Sequence, residues 1–236
     1  MATRGIGKVT RETSARERAD YTAYYRRKIT DAPAEATQRA QRMIARLARS
    51  VPAGAGYLGI GAGRGITEGS IHRQLSHLNV LLLDVARRKP LLPSKIKRNV
   101  INIEGNANTL PLPAASVSLA SCILAQDFFG PRRTSTQEML RVLRPGGRAV
   151  VFLHHPQMFE TELRLSPGTY SSLAGREVAA FWRELMRKRK VYRDHRTLGR
   201  FFRRNGFIVE SVAAHTPGPR ESPSNYWWEV QLRKPG

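Results

Sequence analysis

The chain has 236 residues, 41% of them hydrophobic, with a single cysteine, Cys122. That length suits one α/β domain plus an accessory segment, and one cysteine excludes an internal disulfide framework and a cysteine-rich zinc site. Forty Lys and Arg against eighteen Asp and Glu leave a net charge of +22, which raises encounter with polyanions and points to RNA, a ribonucleoprotein or an acidic membrane as partner.

Residues 1–50 are rich in Arg, Ala and Thr, with Tyr21, Tyr24 and Tyr25 near the middle. They read as a basic helical extension packed on a main domain of residues 51–236. Asp31 reads as a helix cap with Pro33 and Glu35 in the first turn. Ala40, Met43, Ile44 and Leu47 then recur at helical spacing, with arginines between them. Glu12, Glu17, Asp20 and Glu35 argue against a mitochondrial presequence, because transit peptides are poor in acids. With neither an apolar run of about 18 residues nor a secretory signal, the expected location is cytoplasmic, an organelle being the alternative.

From Val51 onward strands alternate with helices. Apolar runs predict strands over 57–60, 80–83, 100–103, 116–124 and 149–153, and two more over 207–212 and 227–232. A short helix over 137–143 stops at Pro145-Gly146-Gly147. Between the fifth and sixth strands lies a basic helical insertion, about 157–204, with helices over 173–190 and 198–204. Continuous rather than alternating apolar runs mark strands covered on both faces, hence a parallel sheet.

The first strand feeds Gly59-Ile60-Gly61-Ala62-Gly63-Arg64-Gly65. Glycines at such a turn let a ligand lie against the main chain, and a helix starting near Ile66 would add its positive end. The dinucleotide fingerprint G-x-G-x-x-G fails in both frames: its sixth position is Arg64 counted from Gly59 and Ile66 counted from Gly61. No Gly-Lys-Ser/Thr follows, which excludes a P-loop. What stands is a G-x-G-x-G series at Gly61, Gly63 and Gly65. Asp84 closes the next apolar run, roughly 20 residues on, where a carboxylate can accept both hydroxyls of a ribose; the plainer reading is a turn or capping residue.

These motifs, with Glu104-Gly105-Asn106-Ala107-Asn108-Thr109-Leu110-Pro111 and Leu140-Arg141-Val142-Leu143-Arg144-Pro145-Gly146-Gly147, resemble in order the class I S-adenosylmethionine-dependent methyltransferases, and within them the ubiquinone/menaquinone-methyltransferase-like group. The resemblance covers roughly residues 55–153, with 207 onward fitting the last two strands. It implies a Rossmann-like, seven-stranded, mostly parallel sheet with helices on both faces and one antiparallel strand near the edge. It implies S-adenosylmethionine as cofactor. Gly61, Ala62 and Gly63, with Gly59 and Gly65 in the same series, would line the methionine and ribose portion and Asp84 would hold the ribose. Asn106 and Ala107 would meet the adenine edge, and Ala125 and Gln126 would sit near the sulfonium.

Three positions depart from the family pattern. Gly59, Asn106 and Ser118 stand where the family carries acids, which keeps open a fold that binds without turnover, held in an RNA–protein assembly such as a ribosome. Methyl transfer from a sulfonium is an in-line displacement needing alignment and removal of the acceptor's proton, so no universal catalytic residue is expected. Asp127, His154 and His155 are the candidates near the acceptor. Two adjacent histidines without an acidic cluster make a metal site unexpected. Arg187, Lys188, Arg189, Lys190, Arg193, Arg196, Arg200, Arg203 and Arg204 crowd one region and suit phosphate tracking by RNA, whereas Trp182, Tyr192, Phe201 and Phe202 read as helix core. A small or lipid-like acceptor is the alternative to RNA.

Overall fold

The sequence 56–60 carries no polar side chain except the Tyr57 hydroxyl, and every residue of this strand, β1 (Gly56–Ile60), is buried. A strand apolar on both faces needs cover on both sides, and the fold supplies it. In the computed structural model, which describes residues 34–85, 100–129, 132–165, 193–217 and 226–236, β1 lies in the middle of a seven-stranded sheet. Its neighbours are β2 (Asn79–Asp84) and β4 (Val117–Ile123), both parallel to it, with β3 (Val100–Glu104) outside β2. Beyond β4 come β5 (Leu143–His154), β7 (Trp227–Arg233) and β6 (Ile208–His215), giving the order β3-β2-β1-β4-β5-β7-β6. Only β7 runs antiparallel, between β5 and β6, so its first residues lie beside the carboxyl end of β5.

Helix α1 (Ala34–Ala48) covers one face. Its buried side, Ala36, Ala40, Ile44, Leu47 and Ala48, packs with Tyr57, Leu82, Leu119, Phe152 and Trp227 in one core cluster. Arg39 of α1 forms an ion pair with buried Glu229 of β7, its Nη2 donating to Oε2 at 2.9 Å, and Trp227 Nε1 donates to the same carboxylate at 3.1 Å. The opposite face is covered by α4 (Arg132–Val142) and α6 (His195–Arg204), whose Met139, Val142, Leu198 and Phe202 pack with Leu58, Ala120, Cys122 and Val151.

Several elements differ from the sequence expectation for identifiable reasons. Helix α4 begins at Arg132 rather than 137, because its inner face opens with buried Ser135 and Thr136, residue types that hide an inward stripe from a hydrophobicity pattern. Strand β5 begins at Leu143 rather than 149. Leu143 pairs with Val117 and Arg148 with Leu119, so 144–147 bulge from the β4 ladder, while Lys234 N donates to Gly147 O and Gly146 N to Lys234 O. Helix α6 gains a turn because Asp194 caps it, accepting from Thr197 N at 2.7 Å. Helix α5 (Pro156–Leu165), with proline at its first position, opens the helical insertion expected over about 157–204, ahead of the helices expected within it. The helix expected near Ile66 is short: α2 (Ile66–Ser70) breaks at Ile71 into α3 (His72–Leu75). The helix expected over 173–190 and the tyrosines near residue 21 lie outside the described residues.

Ile44 is fully buried under the sheet. Ile44→Ala is expected to lower unfolding stability by about 3 kcal/mol through lost burial plus the cavity left behind, read as a shifted denaturant midpoint at unchanged slope. A loss below about 1 kcal/mol would mean that α1 is not part of the core.

Candidate active site

Parallel strands deliver their carboxyl ends to one edge of the sheet, where α/β folds bind ligands. Here the β1–α2 loop, the end of β2, the turn after β3 and the turn after β4 converge. Gly61, Gly63 and Gly65 all adopt positive φ, at 66°, 57° and 69°, a region open to glycine without strain. Gly61 is fixed by proximity as well: a Cβ there would lie 2.5 Å from Ala125 Cβ and 3.2 Å from Phe129 Cζ. A Cβ on Gly63 would meet nothing within 4 Å, so the loop leaves open space there. Gly63 N donates to Asp84 Oδ2 at 2.8 Å, and Ala62 N to Leu83 O at 3.1 Å. Asp84 thus braces the glycine loop from the end of β2, placing an acid at its open side.

Gly59 has a different part from the loop glycines. It is buried inside β1, and a Cβ on it would stand 2.7 Å from Glu68 Oε1. Glu68 reaches this space from α2 and is 4% exposed. Tyr57 Oη donates to its Oε1 at 2.8 Å and lies 2.6 Å from Ser121 Oγ, itself 3.5 Å from the carboxylate. Burial raises the Glu68 carboxyl above its ordinary range, against the hydrogen bonds from Tyr57 and Ser121. Burial and the neighbouring Glu68 push the Tyr57 phenol up as well. None of Tyr57, Glu68 and Ser121 was singled out in the sequence. The available signal was an acid in the first turn after a glycine loop whose own acid position is glycine.

After β3, Asn106 Oδ1 accepts from Asn108 N at 2.9 Å, closing an Asx turn. Its carbonyl oxygen is therefore engaged within the turn, and the amide group carries the donors where an aspartate would offer acceptors only. Ala107 is buried beside Leu110. Asn108 Oδ1 is buried without a hydrogen-bond partner.

The turn after β4 brings together residues that the sequence left as separate candidates. Ala125, with positive-φ Leu124 before it, lies against Gly61. Gln126 is fully buried, its Nε2 donating to Thr136 Oγ1 at 2.8 Å and its Oε1 lacking a partner. Asp127, 1% exposed, accepts from both the backbone N and the ring Nδ1 of His154, at 2.8 and 2.7 Å through Oδ2. Its Oδ1 accepts from Arg132 Nη2 at 3.3 Å. The result is a buried carboxylate held by an arginine and a histidine at the adjoining ends of β4 and β5. Arg132 gave no signal in the sequence, because nothing in a Pro-Arg-Arg run indicates which guanidinium turns inward.

His155 does not join that pair. It lies 4.6 Å from the Trp228 ring and 6.0 Å from the Tyr226 ring, centroid to centroid, and burial lowers its imidazole pKa. Of the basic residues expected to contact nucleic acid, Arg187, Lys188, Arg189 and Lys190 lie outside the described residues. Arg193, Arg196, Arg200, Arg203 and Arg204 are exposed on or beside α6. That helix packs on β6, at the far edge of the sheet from the glycine loop. Among the described residues no group of three metal-ligating side chains occurs, and no helix is long and apolar enough to cross a membrane.

A family model described as a methyltransferase domain matches residues 58–151, the stretch from β1 through β5 that carries the loop, Asp84 and the Asp127 turn. Over that stretch the chain is similar to the class I S-adenosylmethionine-dependent methyltransferases. It is similar to the demethylmenaquinone methyltransferase of Lactococcus lactis subsp. lactis (strain IL1403), with 27% identity over 143 residues, covering 58% of this chain and 56% of the relative. The match therefore spans little more than half of that relative's length. Among solved structures, the 1,6-didemethyltoxoflavin-N1-methyltransferase of Burkholderia thailandensis, with 1,6-didemethyltoxoflavin and S-adenosylhomocysteine bound, superposes with a TM-score of 0.67 at 18% identity, over 96% of this chain and 90% of that one. An S-adenosylmethionine-dependent methyltransferase from Mesorhizobium loti gives 0.54 at 16% identity, over 83% and 98%. At such identities the likeness establishes the Rossmann-like methyltransferase fold.

Glu68 also marks the stability of the domain. A carboxyl whose folded-state pKa is raised contributes fully below its unfolded value, and that contribution is lost as pH rises through the folded value. Stability of the wild type should therefore fall, relative to Glu68→Gln, as pH climbs from the ordinary glutamate value of 4.5. Thermal melts of both proteins between pH 4.5 and 8 check this, and a difference constant with pH would show that Glu68 is not held at a raised pKa.

Proposed function

We propose that the chain transfers a methyl group from S-adenosylmethionine to a small acceptor bearing an ionisable O–H or N–H, with His154 as general base and Asp127 as the residue that orients it. The observation that carries this reading is the Asp127–His154 pair, set beside the loop glycine that touches Ala125. The donor supplies an electrophilic methyl group on a sulfonium. The chain supplies the rest. Gly61 and Gly63 let that donor lie against the backbone, Asp84 stands where a ribose would be held, and the neutral Asn106 turn and Ala107 face the adenine side.

A carboxylate can only accept, so His154 Nδ1 donates to Asp127 and a neutral His154 carries its lone pair on Nε2. As the acceptor oxygen or nitrogen bonds to the methyl carbon, its proton passes to Nε2, and Asp127 stabilises the imidazolium so formed. The carbon–sulfur bonding pair remains on sulfur. Arg132 offsets the charge of Asp127 when the imidazole is neutral. The small-molecule acceptor is supported by the names of the quinone- and toxoflavin-type relatives and by the aromatic group of His155, Tyr226 and Trp228 at the same end of the sheet, which suits a planar acceptor. The departures at Gly59, Asn106 and Ser118 do not remove the parts this chemistry needs, since Asp84, the glycine series and the His154 pair are intact.

A second reading takes RNA as acceptor or partner. It is favoured by the net charge of +22 and by the exposed arginines of α6. That helix packs on β6, which lies four strands from β1, roughly 19 Å at about 4.8 Å per strand, so its charge serves docking rather than chemistry. Salt-dependent binding of a structured RNA, weakened by Arg196→Glu with Arg200→Glu, would support it. Binding no tighter than that of a neutral polymer at physiological salt would remove it.

Calorimetry with S-adenosylhomocysteine should give micromolar binding to the wild type and at least tenfold weaker binding to Asp84→Ala. No binding by the folded wild type would overturn the enzyme reading. With methyl-labelled donor and a panel of phenols, quinols, ring N–H heterocycles and total RNA, His154→Ala should lower kcat on the accepted substrate by about 10²-fold or more. Its S-adenosylhomocysteine affinity should stay within about twofold. An unchanged kcat would exclude His154 as the base.

A further inference from the structure

In a chain with 40 Lys and Arg, the acid closest to the glycine loop's first strand has no cation. Glu68 is 4% exposed, and among the described residues no lysine, arginine or histidine pairs with it; its donors are the Tyr57 hydroxyl, the more distant Ser121 hydroxyl and its own backbone N–H. Two hydroxyls are thin compensation for a buried negative charge, which in a folded interior is ordinarily paired or neutralised. The space it fills exists because residue 59 has no side chain: any Cβ there would press to 2.7 Å of the carboxylate and to 3.3 Å of Ala62 Cβ and Leu82 Cδ2. Glycine at 59 and glutamate at 68 are thus one sterically coupled pair, and Ala62, beside that space, belongs to the loop.

We propose that Glu68 is the acid of the glycine loop: delivered from α2 into the space left by Gly59 and held by Tyr57 and Ser121, its carboxylate is the negative charge that the loop sets against the α-ammonium of the donor's amino-acid end. This rests on the donor reading above. It means that the acid missing from β1 at position 59 has moved to another element, so the departure at Gly59 is a relocation, with the glycine kept to admit the relocated group. A donor that carries a positive charge completes the pair that the empty loop lacks. A neutral fragment of the donor gains nothing from it. Glu68 acts here as a positioning and charge-matching residue and takes no proton from the acceptor.

The experiment compares three ligands by calorimetry on the full chain: S-adenosylmethionine, S-adenosylhomocysteine and 5′-methylthioadenosine, the last sharing the adenosine but lacking the amino-acid end. Glu68→Gln, which keeps the shape and the acceptor for Tyr57, should weaken the first two about tenfold and change the third less than twofold. Moving the carboxylate back to the strand, as Gly59→Asp with Glu68→Ala, should restore both to within about threefold of wild type. The neutral counterpart, Gly59→Asn with Glu68→Ala, should not. Equal losses for all three ligands in Glu68→Gln, or equal behaviour of the Asp and Asn versions, would show a role in shape alone and overturn the proposal. If the folded wild type bound none of the three, the donor reading itself would fall. If it bound all three and Glu68→Gln bound them unchanged, only the charge proposal would.

Discussion

The site depends on how closely three backbone turns approach at the carboxyl ends of β1, β2 and β4. Gly61 has no room for a side chain between itself and Ala125 and Phe129, and Gly63 N is tied to Asp84. These contacts join the β1 loop to the β4 turn on one side and to the β2 end on the other. A methyl group added at Gly61 would have to displace backbone-anchored neighbours in close-packed surroundings, moving the Ala125 turn and with it Asp127. The Asp127–His154 pair is thus tied to the close approach at Gly61. The glycine loop, the end of β2 and the Asp127 turn form one unit resting on three parallel strands.

The cost of this arrangement falls on its buried polar groups. Glu68 sits where burial raises its carboxyl, while Gln126 Oε1 and Asn108 Oδ1 lack partners. A buried acceptor without a donor destabilises the ligand-free fold by about 1–3 kcal/mol, and such groups persist where something else requires them. All three lie on the elements that meet at the carboxyl edge of the sheet. The opposite situation holds at Glu229, which is equally buried but answered by Arg39 and by Trp227 Nε1. That carboxylate fastens α1 to β7 on the side of the core and is complete without a ligand. The two buried acids differ in their partners: Glu229 is met by a guanidinium, whereas Glu68 is met by hydroxyls and its own backbone N–H.

The sheet was legible in the sequence because its signals are local. Continuous apolar runs mark strands covered on both faces, and the buried runs of β1, β2 and β4 are of this kind. The glycine series and Asp84 are readable because positive φ and close approach restrict residue type at single positions. What escaped depends on side chains meeting across the fold. Asp127, His154 and Arg132 come from a turn, a strand end and a helix, and no spacing relates them. Gly59 and Glu68 are nine positions apart on a strand and a helix, and their close approach shows only in the fold. The early start of α4 was hidden for a related reason: Ser135 and Thr136 are buried, and Thr136 accepts from Gln126, so polarity there marks an internal bond rather than a solvent face.

The strong positive charge invites a reading in which the whole molecule serves a polyanion, yet the site obeys a different balance. The four buried acids of the described residues are Glu68, Asp84, Asp127 and Glu229, and the first three surround the carboxyl ends of β1, β2 and β4. Surface arginines act through water and are screened beyond about 8–10 Å at ordinary salt, whereas a buried carboxylate keeps most of its field. The carboxyl edge of the sheet is therefore locally acidic inside a basic protein. The +22 charge bears on what approaches from solution. The buried acids bear on what can be held at the strand ends. The two scales of charge do not conflict, because one is screened by solvent and the other is not.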